Sequence, residues 1–390
     1  MRSVASAGVL GAALLLASCG GFTINTGITF PDNSNLIGVS CPSKDVCTTV
    51  GNVGGFGLKS LAVQGFVAKW SGGIWTPVLV PPGPRTGAAT SDLFSVACAS
   101  PVFCMAVGDY EPRGKSASTP LTRETFAEEW TGGHWTVLPT PNPQGKPATA
   151  ENVLAGISCL STRMCMAVGR SSSGSIAERW DGHSWSLLRT PSTGALLGVS
   201  CTSPQACVAV GVRSPGNSGT TFSLAEHWDG VAWTEMTTPN PTAESQSEGT
   251  GLNSVSCVSA RDCLAVGGSA FSIASQPFSL RLRDGRWSLL PRVPVPFAGA
   301  SGAALNGVAC PSENVCFAVG GYSDNKTIGH ALADMWDGRK WVSQRLPSER
   351  DTTYAAISCT SVTWCIAVGS SGLPFGVADR WNGRAWISAS

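Results

Sequence analysis

The chain has 390 residues, which is too long for one compact core unless the fold is a barrel, a propeller or a solenoid. Lys and Arg number 26 against 25 Asp and Glu, and neither a basic stripe nor an acidic tail is present, so we expect no nucleic-acid partner. Charged residues make up only 13% of the chain, whereas 46 Gly and 25 Pro indicate frequent turns.

The N-terminus has the features of an export signal. Arg2 supplies a positive charge, residues 4–16 form an apolar run too short to span a bilayer, and residues 16–19 read L-A-S-C. This box resembles the lipobox of bacterial lipoproteins, in which the cysteine is lipidated and becomes the mature N-terminus. The resemblance implies a signal peptide over residues 1–18 and a lipid anchor on Cys19, which would hold the protein at the extracytoplasmic face of the cell membrane. The alternative is an ordinary signal peptide with an unrelated cysteine.

Residues 19–35 lie between the signal and the repeats. Apolar or β-branched residues occupy every second position in part of this segment, at Phe22, Ile24, Thr26, Ile28 and Phe30. Because side chains alternate between the two faces of a strand, this period is typical of β-structure. The segment is therefore either a tether behind a lipidated Cys19 or an additional strand that pairs with the last repeat.

From residue 36 onward, one pattern occurs seven times. The copy at residues 196–239 reads L-L-G-V-S-C, five residues, C-V-A-V-G, a variable loop, L-A-E-H-W-D-G-V-A-W and T-E-M-T-T-P. The copies cover residues 36–81, 93–141, 153–191, 196–239, 252–294, 305–347 and 354–390. A repeat of this kind is the strongest architectural signal in the chain.

Each copy contains two cysteines six positions apart. The pairs are Cys41 and Cys47, Cys98 and Cys104, Cys159 and Cys165, Cys201 and Cys207, Cys257 and Cys263, Cys310 and Cys316, and Cys359 and Cys365. They account for all of the 15 cysteines except Cys19, for which lipidation supplies an explanation.

The cysteine pairs are predicted to be disulfides. Each pair flanks a short turn rich in Ser and Pro, so the two cysteines face each other across a hairpin at a separation that a disulfide can bridge. Metal binding by thiolates is the alternative, but the spacing is C-x5-C rather than C-x2-C, and an exported protein folds in an oxidising compartment. We therefore expect no metal site and no cofactor.

Each copy also contains four short strand candidates and no sustained helical period. In the fourth copy, the first strand ends at Cys201 and the second begins at Cys207. The third covers residues 224–228, and the fourth begins at Trp233. Short strands separated by turn residues, repeating at about fifty residues, are typical of propeller blades. The prediction is an all-β, seven-bladed β-propeller with four antiparallel strands per blade.

Paired tryptophans flank the turn between the third and fourth strands of six copies: Trp70 and Trp75, Trp130 and Trp135, Trp180 and Trp185, Trp228 and Trp233, Trp336 and Trp341, and Trp381 and Trp386. They could stack on carbohydrate, but a residue type that recurs in nearly every copy is better explained as packing between blades. An acid two positions before the first Trp is interpreted as a structural ion-pair or hydrogen-bond position, at Glu128, Glu178, Glu226, Asp334 and Asp379. The fifth copy lacks the first Trp and has a turn one residue shorter, so we expect an irregular blade there.

The repeat resembles the kelch family. Val266-Gly267-Gly268 and Val319-Gly320-Gly321 look like its diglycine strand, and residues 178–182 look like its Tyr-Asp segment with Trp in place of Tyr. Residues 135–139 look like its final strand. The resemblance implies a seven-bladed propeller and carries no activity with it. Most copies have one Gly rather than two, and the cysteine pair is an addition to the kelch pattern.

Alternating strand directions place the variable loops of all blades on one face of a propeller. The loop between the second and third strands runs from six residues at 170–175 to seventeen at 109–125, and the links between blades vary as well. Because loops on a rigid scaffold commonly carry function, ligand contacts are predicted on this face. The candidates are Asp109, Tyr110, Arg113, Arg213, Tyr322, Asp324, Asp351 and Tyr354.

The function is predicted only at the level of class. The first hypothesis is an exported, membrane-anchored propeller lipoprotein that acts as a monomeric binding scaffold for an unknown protein or glycan. The second is an exported glycan-active hydrolase or lyase with its site at the channel mouth, which would need two carboxylates there. No motif for a catalytic serine, a zinc protease or a P-loop occurs in the sequence.

Overall fold

The protein is described here by a computed structural model that covers residues 30–54, 63–78, 80, 83, 90–112, 122–143, 151–214, 220–241, 249–270, 276–296, 300–324, 328–347, 351–372 and 375–389. These residues form seven four-stranded antiparallel sheets, each built from four consecutive strands. The predicted seven-bladed, all-β architecture is confirmed, and the described residues contain no helix. No helix in this part of the chain therefore has the length and apolar composition needed to cross a membrane.

The strands follow the repeats in order. Blade 1 is β1 (Ser34–Ser43), β2 (Val46–Gly54), β3 (Val63–Ser71) and β4 (Ile74–Val78); blade 2 is β5 (Thr90–Ser100), β6 (Phe103–Glu111), β7 (Glu124–Thr131) and β8 (His134–Pro139). Blade 3 is β9 (Val153–Ser161), β10 (Met164–Ser171), β11 (Gly174–Trp180) and β12 (Trp185–Leu188); blade 4 is β13 (Ala195–Ser203), β14 (Ala206–Arg213), β15 (Phe222–Trp228) and β16 (Trp233–Met236). Blade 5 is β17 (Gly249–Ser259), β18 (Asp262–Ala270), β19 (Pro277–Arg283) and β20 (Arg286–Leu289). Blade 6 is β21 (Ser301–Ser312), β22 (Val315–Ser323), β23 (Gly329–Trp336) and β24 (Trp341–Ser343); blade 7 is β25 (Thr352–Ser361), β26 (Trp364–Ser371), β27 (Gly376–Trp381) and β28 (Trp386–Ser388).

The ring closes without a strand shared between the first and last blades. Asp32 forms an isolated bridge with Phe375, and the backbone N–H of Gly376 donates to Ser34 Oγ at 3.1 Å. Phe30 is buried beside Trp75, at a ring-centroid distance of 5.8 Å. The predicted strand over residues 22–30 lies outside the described residues except for Phe30, so it stays a prediction.

All seven predicted disulfides are present. The cysteines of each pair lie 3.9 to 4.1 Å apart at Cα, and five of the pairs are direct register partners in the ladder between the first and second strands. Each bond therefore closes the short turn that joins these two strands.

A serine directly before the first cysteine joins one blade to the next. Its hydroxyl accepts a hydrogen bond from the backbone N–H of the first cysteine in the following blade, as in Ser200 Oγ with Cys257 N at 3.0 Å. The same bond, at 2.9 to 3.1 Å, occurs for Ser40 with Cys98, Ser158 with Cys201, Ser256 with Cys310 and Ser358 with Cys41. Blades 2 and 6 have alanine at this position, at Ala97 and Ala309. Five of the seven blade junctions therefore share one polar contact.

One glycine per blade is required by the close approach of the first strand to the second. A Cβ at Gly211 would lie 1.9 Å from the carbonyl oxygen of Ala195, and the equivalent glycine of each other blade has a similar clash of 1.8 to 2.0 Å. The first strand carries an irregularity in its register next to this glycine, between Leu196 and Gly198 in blade 4. The single glycine of the C-x-x-V-G pattern is therefore explained by backbone packing.

The paired tryptophans pack between blades, as predicted. Trp180 and Trp185 lie in one cluster with Phe103 and Met105 of the preceding blade, and their ring centroids are 5.7 Å apart. In blades 3, 4 and 7 the first indole also donates from Nε1 to a carbonyl oxygen of the disulfide turn of its own blade, as in Trp180 with Thr162 at 3.1 Å. All of the paired indoles except the half-buried Trp130 are buried, so they pack in the core instead of presenting a glycan-stacking surface.

The acid position before the first Trp is buried at the same junctions. Asp334 accepts a hydrogen bond from Ser343 Oγ at 3.0 Å, and Asp379 accepts one from the Tyr354 hydroxyl. Glu178, in contrast, has no ion-pair or hydrogen-bond partner among the described residues, so the predicted polar role is wrong there. Burial raises the pKa of Glu128 to about 8 and that of Asp334 to about 7, because the charged form loses its hydration.

Blade 5 is more regular than predicted. Leu282 lies opposite Trp287 in the same register that places Trp70 opposite Trp75, so the turn is not shorter than in blade 1. Asp284 and Gly285 both have positive φ, at 48° and 80°, as expected for a two-residue hairpin turn. The difference that remains is the replacement of one indole by a leucine.

Candidate binding face and central channel

The two faces of the propeller differ in the way the sequence predicts. The disulfide face carries the turns between strands one and two and between strands three and four, which are short in every blade. The loop face carries the connections between strands two and three and the links between blades. The connection between strands two and three is shortest in blade 3, at residues 172–173, and longest in blade 2, at residues 112–123. Variation in the length of the connections is therefore concentrated on the loop face.

Two carboxylates lie opposite each other at the loop-face end of blade 2. Asp92 on β5 and Asp109 on β6 are direct register partners, and Arg123 bridges them. Arg123 Nη1 donates to both oxygens of Asp109 at 2.9 and 3.0 Å and lies 3.7 Å from Asp92 Oδ2. Asn52 of blade 1 donates from Nδ2 to Asp92 Oδ1 at 2.7 Å. The group is therefore a hydrogen-bonded polar cluster that joins blades 1 and 2.

The electrostatics of this cluster are set by its burial. Asp109 is only 1% exposed, and desolvation raises its pKa to about 6 although the hydrogen bond from Arg123 acts in the opposite direction. The same hydrogen bond raises the pKa of Arg123 above its ordinary value. Asp109 therefore lies on the predicted face, but its carboxylate is occupied by Arg123 and is not free to bind a ligand.

Two of the predicted contact tyrosines are buried, and the expectation that they are exposed is wrong. Tyr354 is 0% exposed and its hydroxyl donates to Asp379, while Tyr110 is 4% exposed and its hydroxyl donates to Glu124. Burial and the neighbouring Asp379 carboxylate raise the pKa of Tyr354. Alignment of the repeats explains the burial of Tyr354, since this residue occupies the position of Leu196, which is an apolar core position in the other blades.

A second polar group lies on the loop face of blade 6. Tyr322 stacks on His330 at a centroid distance of 5.0 Å and an interplanar angle of 19°. His330 Nε2 lies 3.1 Å from Asp324 Oδ2, and Asp324 Oδ1 accepts a hydrogen bond from the backbone N–H of Ile328 at 3.0 Å. Tyr322 and His330 are half-buried, so this group presents a partly accessible aromatic and imidazole pair.

Of the remaining candidates, Arg213 lies apart from these two groups, whereas Asp351 is next to the blade 6 group, since its backbone N–H donates to the carbonyl oxygen of Gly329 at 2.8 Å. Arg213 ends β14, pairs with Glu235 at 3.5 Å and has its guanidinium carbon 5.9 Å from the centroid of the Phe222 ring. Asp351 is exposed, with a positive φ of 53°, while Arg113 lies outside the described residues. The predicted contact residues therefore do not converge on one pocket.

The central channel forms a separate cavity of about 520 Å³. Its wall is made by the first strands of all seven blades, with side chains that include Ile37, Phe94 and Leu197. Arg170, near the end of β10, is the one charged residue among the described residues that line it.

Sequence reasoning identified Asp109 but missed Asn52 and Arg170, which lie at the equivalent position of the neighbouring blades. Asn52, Asp109 and Arg170 occupy the same repeat position, five residues after the second cysteine, in blades 1, 2 and 3. Blades 4 to 7 have valine, glycine or serine there. Aligning the copies would have shown this polar arc, because a residue type confined to a few copies is not explained by the packing that all copies share.

The described residues contain no group of three His, Cys, Asp or Glu side chains arranged to hold a metal ion. The chain matches no protein-family model and no curated protein.

Solved structures with the same fold exist at low sequence identity. The chain is similar to YCF48 bound to D1 peptide, with a TM-score of 0.51, 13% identity, and coverage of 88% of this chain and 93% of that chain. It is similar to the xyloglucanase of Xanthomonas campestris, with a TM-score of 0.52, 11% identity, and coverage of 93% and 55%. It is also similar to virginiamycin B lyase from Staphylococcus aureus, with a TM-score of 0.55, 10% identity, and coverage of 90% and 96%.

These similarities show the propeller fold and nothing finer, because one fold hosts many unrelated functions. One of these neighbours is described with a bound peptide and two are named as enzymes. The kelch resemblance is not confirmed by any family model and stays a prediction.

Proposed function

We propose that the protein is an exported lipoprotein, anchored through Cys19, whose kelch-like propeller binds a protein or glycan through its loop face. The observation that carries the proposal is the division between the faces. The disulfide face repeats the same short, cross-linked turns, whereas the loop face carries variable loops and the polar groups of blades 2 and 6. A rigid scaffold with variation on one face is the arrangement that binding propellers require.

The anchor and the binding face are tested separately. Cys19→Ser should release the full-length protein from the membrane fraction, and a protein that stays in that fraction would refute the lipoprotein proposal. For the binding face, a photo-crosslinking residue is placed at Asp351, which is exposed on the loop face. The matched control is Val231, which is 85% exposed in a turn on the disulfide face.

We expect cross-links to a macromolecule in intact cells from position 351 and none from position 231. Cross-links from position 231 alone would assign binding to the disulfide face and overturn the proposal. The same partner cross-linked from both positions would also contradict it, because the two faces lie at opposite ends of the strands.

A second candidate, an exported glycan-active enzyme, is supported by the Asp92 and Asp109 pair near the channel mouth. A carboxylic acid with a pKa near 6 can act as a general acid when a second carboxylate is close by. Asp109 accepts a hydrogen bond from Arg123 and Asp92 accepts one from Asn52, so both donors would have to move before the pair could act. Asp109→Asn should abolish any glycan cleavage by the full chain, and unchanged cleavage would exclude this pair as the catalytic group.

A further inference from the structure

We propose that the loop-face half of the central channel binds a small organic anion that has an apolar body, such as an aryl or branched-chain carboxylate. The carboxylate would lie against Arg170 and the apolar body against Ile37, Phe94 and Leu197. The proposal goes beyond the binding function proposed above, since it concerns a different ligand class and a different site from the outer loops.

The cavity is large enough for such a ligand. Its volume of about 520 Å³ falls within the range of roughly 300 to 1,000 Å³ that is typical of small-molecule sites. In each blade, one residue of the first strand faces the channel, and it comes directly after the buried residue near the start of that strand. All seven of these channel-facing residues are half-buried. They are Ile37, Phe94, Ala155, Leu197, Asn253, Asn306 and Ala355. An apolar ligand would therefore remove further hydrocarbon surface from water.

The wall is chemically asymmetric. Blades 1, 2 and 4 contribute Ile37, Phe94 and Leu197, whereas blades 5 and 6 contribute two amides. Asn253 Nδ2 donates to the carbonyl oxygen of Leu305 at 3.0 Å, and Asn306 Nδ2 donates to that of Tyr354 at 2.9 Å. These hydrogen bonds fix the amides against the neighbouring blades, so the arc that can accept a hydrocarbon body lies opposite them.

The charge comes from Arg170 alone. Arg123 is engaged by Asp109 and Asp92. Arg170 is close enough for its charge to lower the pKa of Asp109, but it forms no ion pair within 4 Å with any described residue, and its side chain is exposed. A guanidinium group binds carboxylates through paired, charge-assisted hydrogen bonds. A cationic ligand would be repelled by Arg170, and a polyol would leave the apolar arc without a matching surface. An anion with an apolar body satisfies both parts of the wall.

The test measures binding of three probes to the full chain in lipid nanodiscs by ligand-observed NMR. Phenylacetate carries both recognition elements, phenylacetamide lacks the charge, and acetate lacks the apolar body. We expect phenylacetate to bind at least about tenfold more tightly than phenylacetamide, since a hydrogen bond to a charged group contributes at least that factor. It should also bind more tightly than acetate, which buries no apolar body. Equal affinity for phenylacetate and phenylacetamide would overturn the proposal.

Variants locate the site. Arg170→Gln should weaken phenylacetate binding about tenfold or more and leave phenylacetamide unchanged, whereas the loop-face control Arg213→Gln should alter neither. Ala155→Trp should weaken the binding of both aromatic probes, because the indole would project into the channel from the same blade as Arg170. Unchanged phenylacetate binding in either Arg170→Gln or Ala155→Trp refutes the channel site.

The two proposals fail independently. If phenylacetate shows no binding that depends on Arg170 and Ala155 but position 351 still cross-links to a partner, this inference is refuted and the loop-face function is not. Specific phenylacetate binding without any cross-link from position 351 would refute the loop-face function alone.

Discussion

The junction that closes the ring depends on one hydrogen bond that a single substitution removes. Ser358 Oγ of blade 7 accepts the backbone N–H of Cys41 in blade 1 at 3.0 Å, across a sequence separation of 317 residues. Ser358→Ala deletes the acceptor and leaves the packing of the methylene group in place. Blades 2 and 6 already carry alanine at this position, so the substitution is compatible with the blade structure.

The expected cost follows from the partial burial of the pair. Leaving a backbone N–H without a partner costs about 1 to 3 kcal/mol when it is buried, and this group lies toward the lower end because the bond is only part-buried. An unfolding entropy of about 2.1 cal/mol/K per residue implies that a domain of this size loses only about 1 to 2 °C in Tm for such a change. A global melting experiment is therefore a weak test, and a local measurement is needed.

Native-state hydrogen exchange at the Cys41 amide supplies that measurement. In Ser358→Ala, exchange at Cys41 should accelerate about fivefold or more, since about 1 kcal/mol corresponds to that factor. Ser40→Ala should instead accelerate exchange at Cys98 and leave the protection of the Cys41 amide, relative to its intrinsic exchange rate, unchanged. Unchanged exchange at Cys41 in Ser358→Ala would refute the assignment of this bond as a closing contact.

Three further predictions concern stability. Gly211→Ala should lower the free energy of unfolding by at least about 2 kcal/mol, because its Cβ would overlap a backbone carbonyl. Gly54→Ala, where nothing lies within 4 Å of the added Cβ, should be nearly neutral in the same denaturant titration; equal effects would contradict the packing explanation. Replacing both Cys201 and Cys207 by serine should cost about 2 kcal/mol in that assay, because the closed loop is short, and a loss above about 4 kcal/mol would show that the bond does more than restrict the unfolded chain. Burial raises the pKa of Glu128 to about 8 from 4.5 in the unfolded chain, so its stabilising contribution is complete below about pH 4.5 and is lost as the pH rises through 8. Glu128→Gln should remove part of the decline in the free energy of unfolding between pH 5 and pH 8, at most about 1.4 kcal/mol per pH unit. If the free energy of unfolding of the variant falls as steeply with pH as that of the wild type, the assignment is refuted.

The repeat pattern predicted the fold because each of its features recurs for a local reason. The cysteine pairs lie across a hairpin, the tryptophans flank a second hairpin, and both were placed correctly by spacing alone. The candidate contact residues were predicted less well, because exposure was judged from position in a loop or at a strand end. Tyr354 and Asp109 lie near strand ends on the correct face, yet Tyr354 points into the junction between blades and Asp109 into an ion pair with Arg123.

The sequence by itself determined the number of blades, the strand order, the disulfide pairs and the face that varies. These properties depend on short-range spacing, and they are repeated seven times, so a single departure does not obscure them. Only the tertiary structure decided which polar side chains meet. Asn52, Asp92 and Arg123 come from two blades, and Asn253 bonds to the next blade, so these contacts depend on the ring bringing distant copies together. The position of Arg170 at the mouth of an apolar channel is of the same kind, because a channel exists only when seven first strands close around one axis.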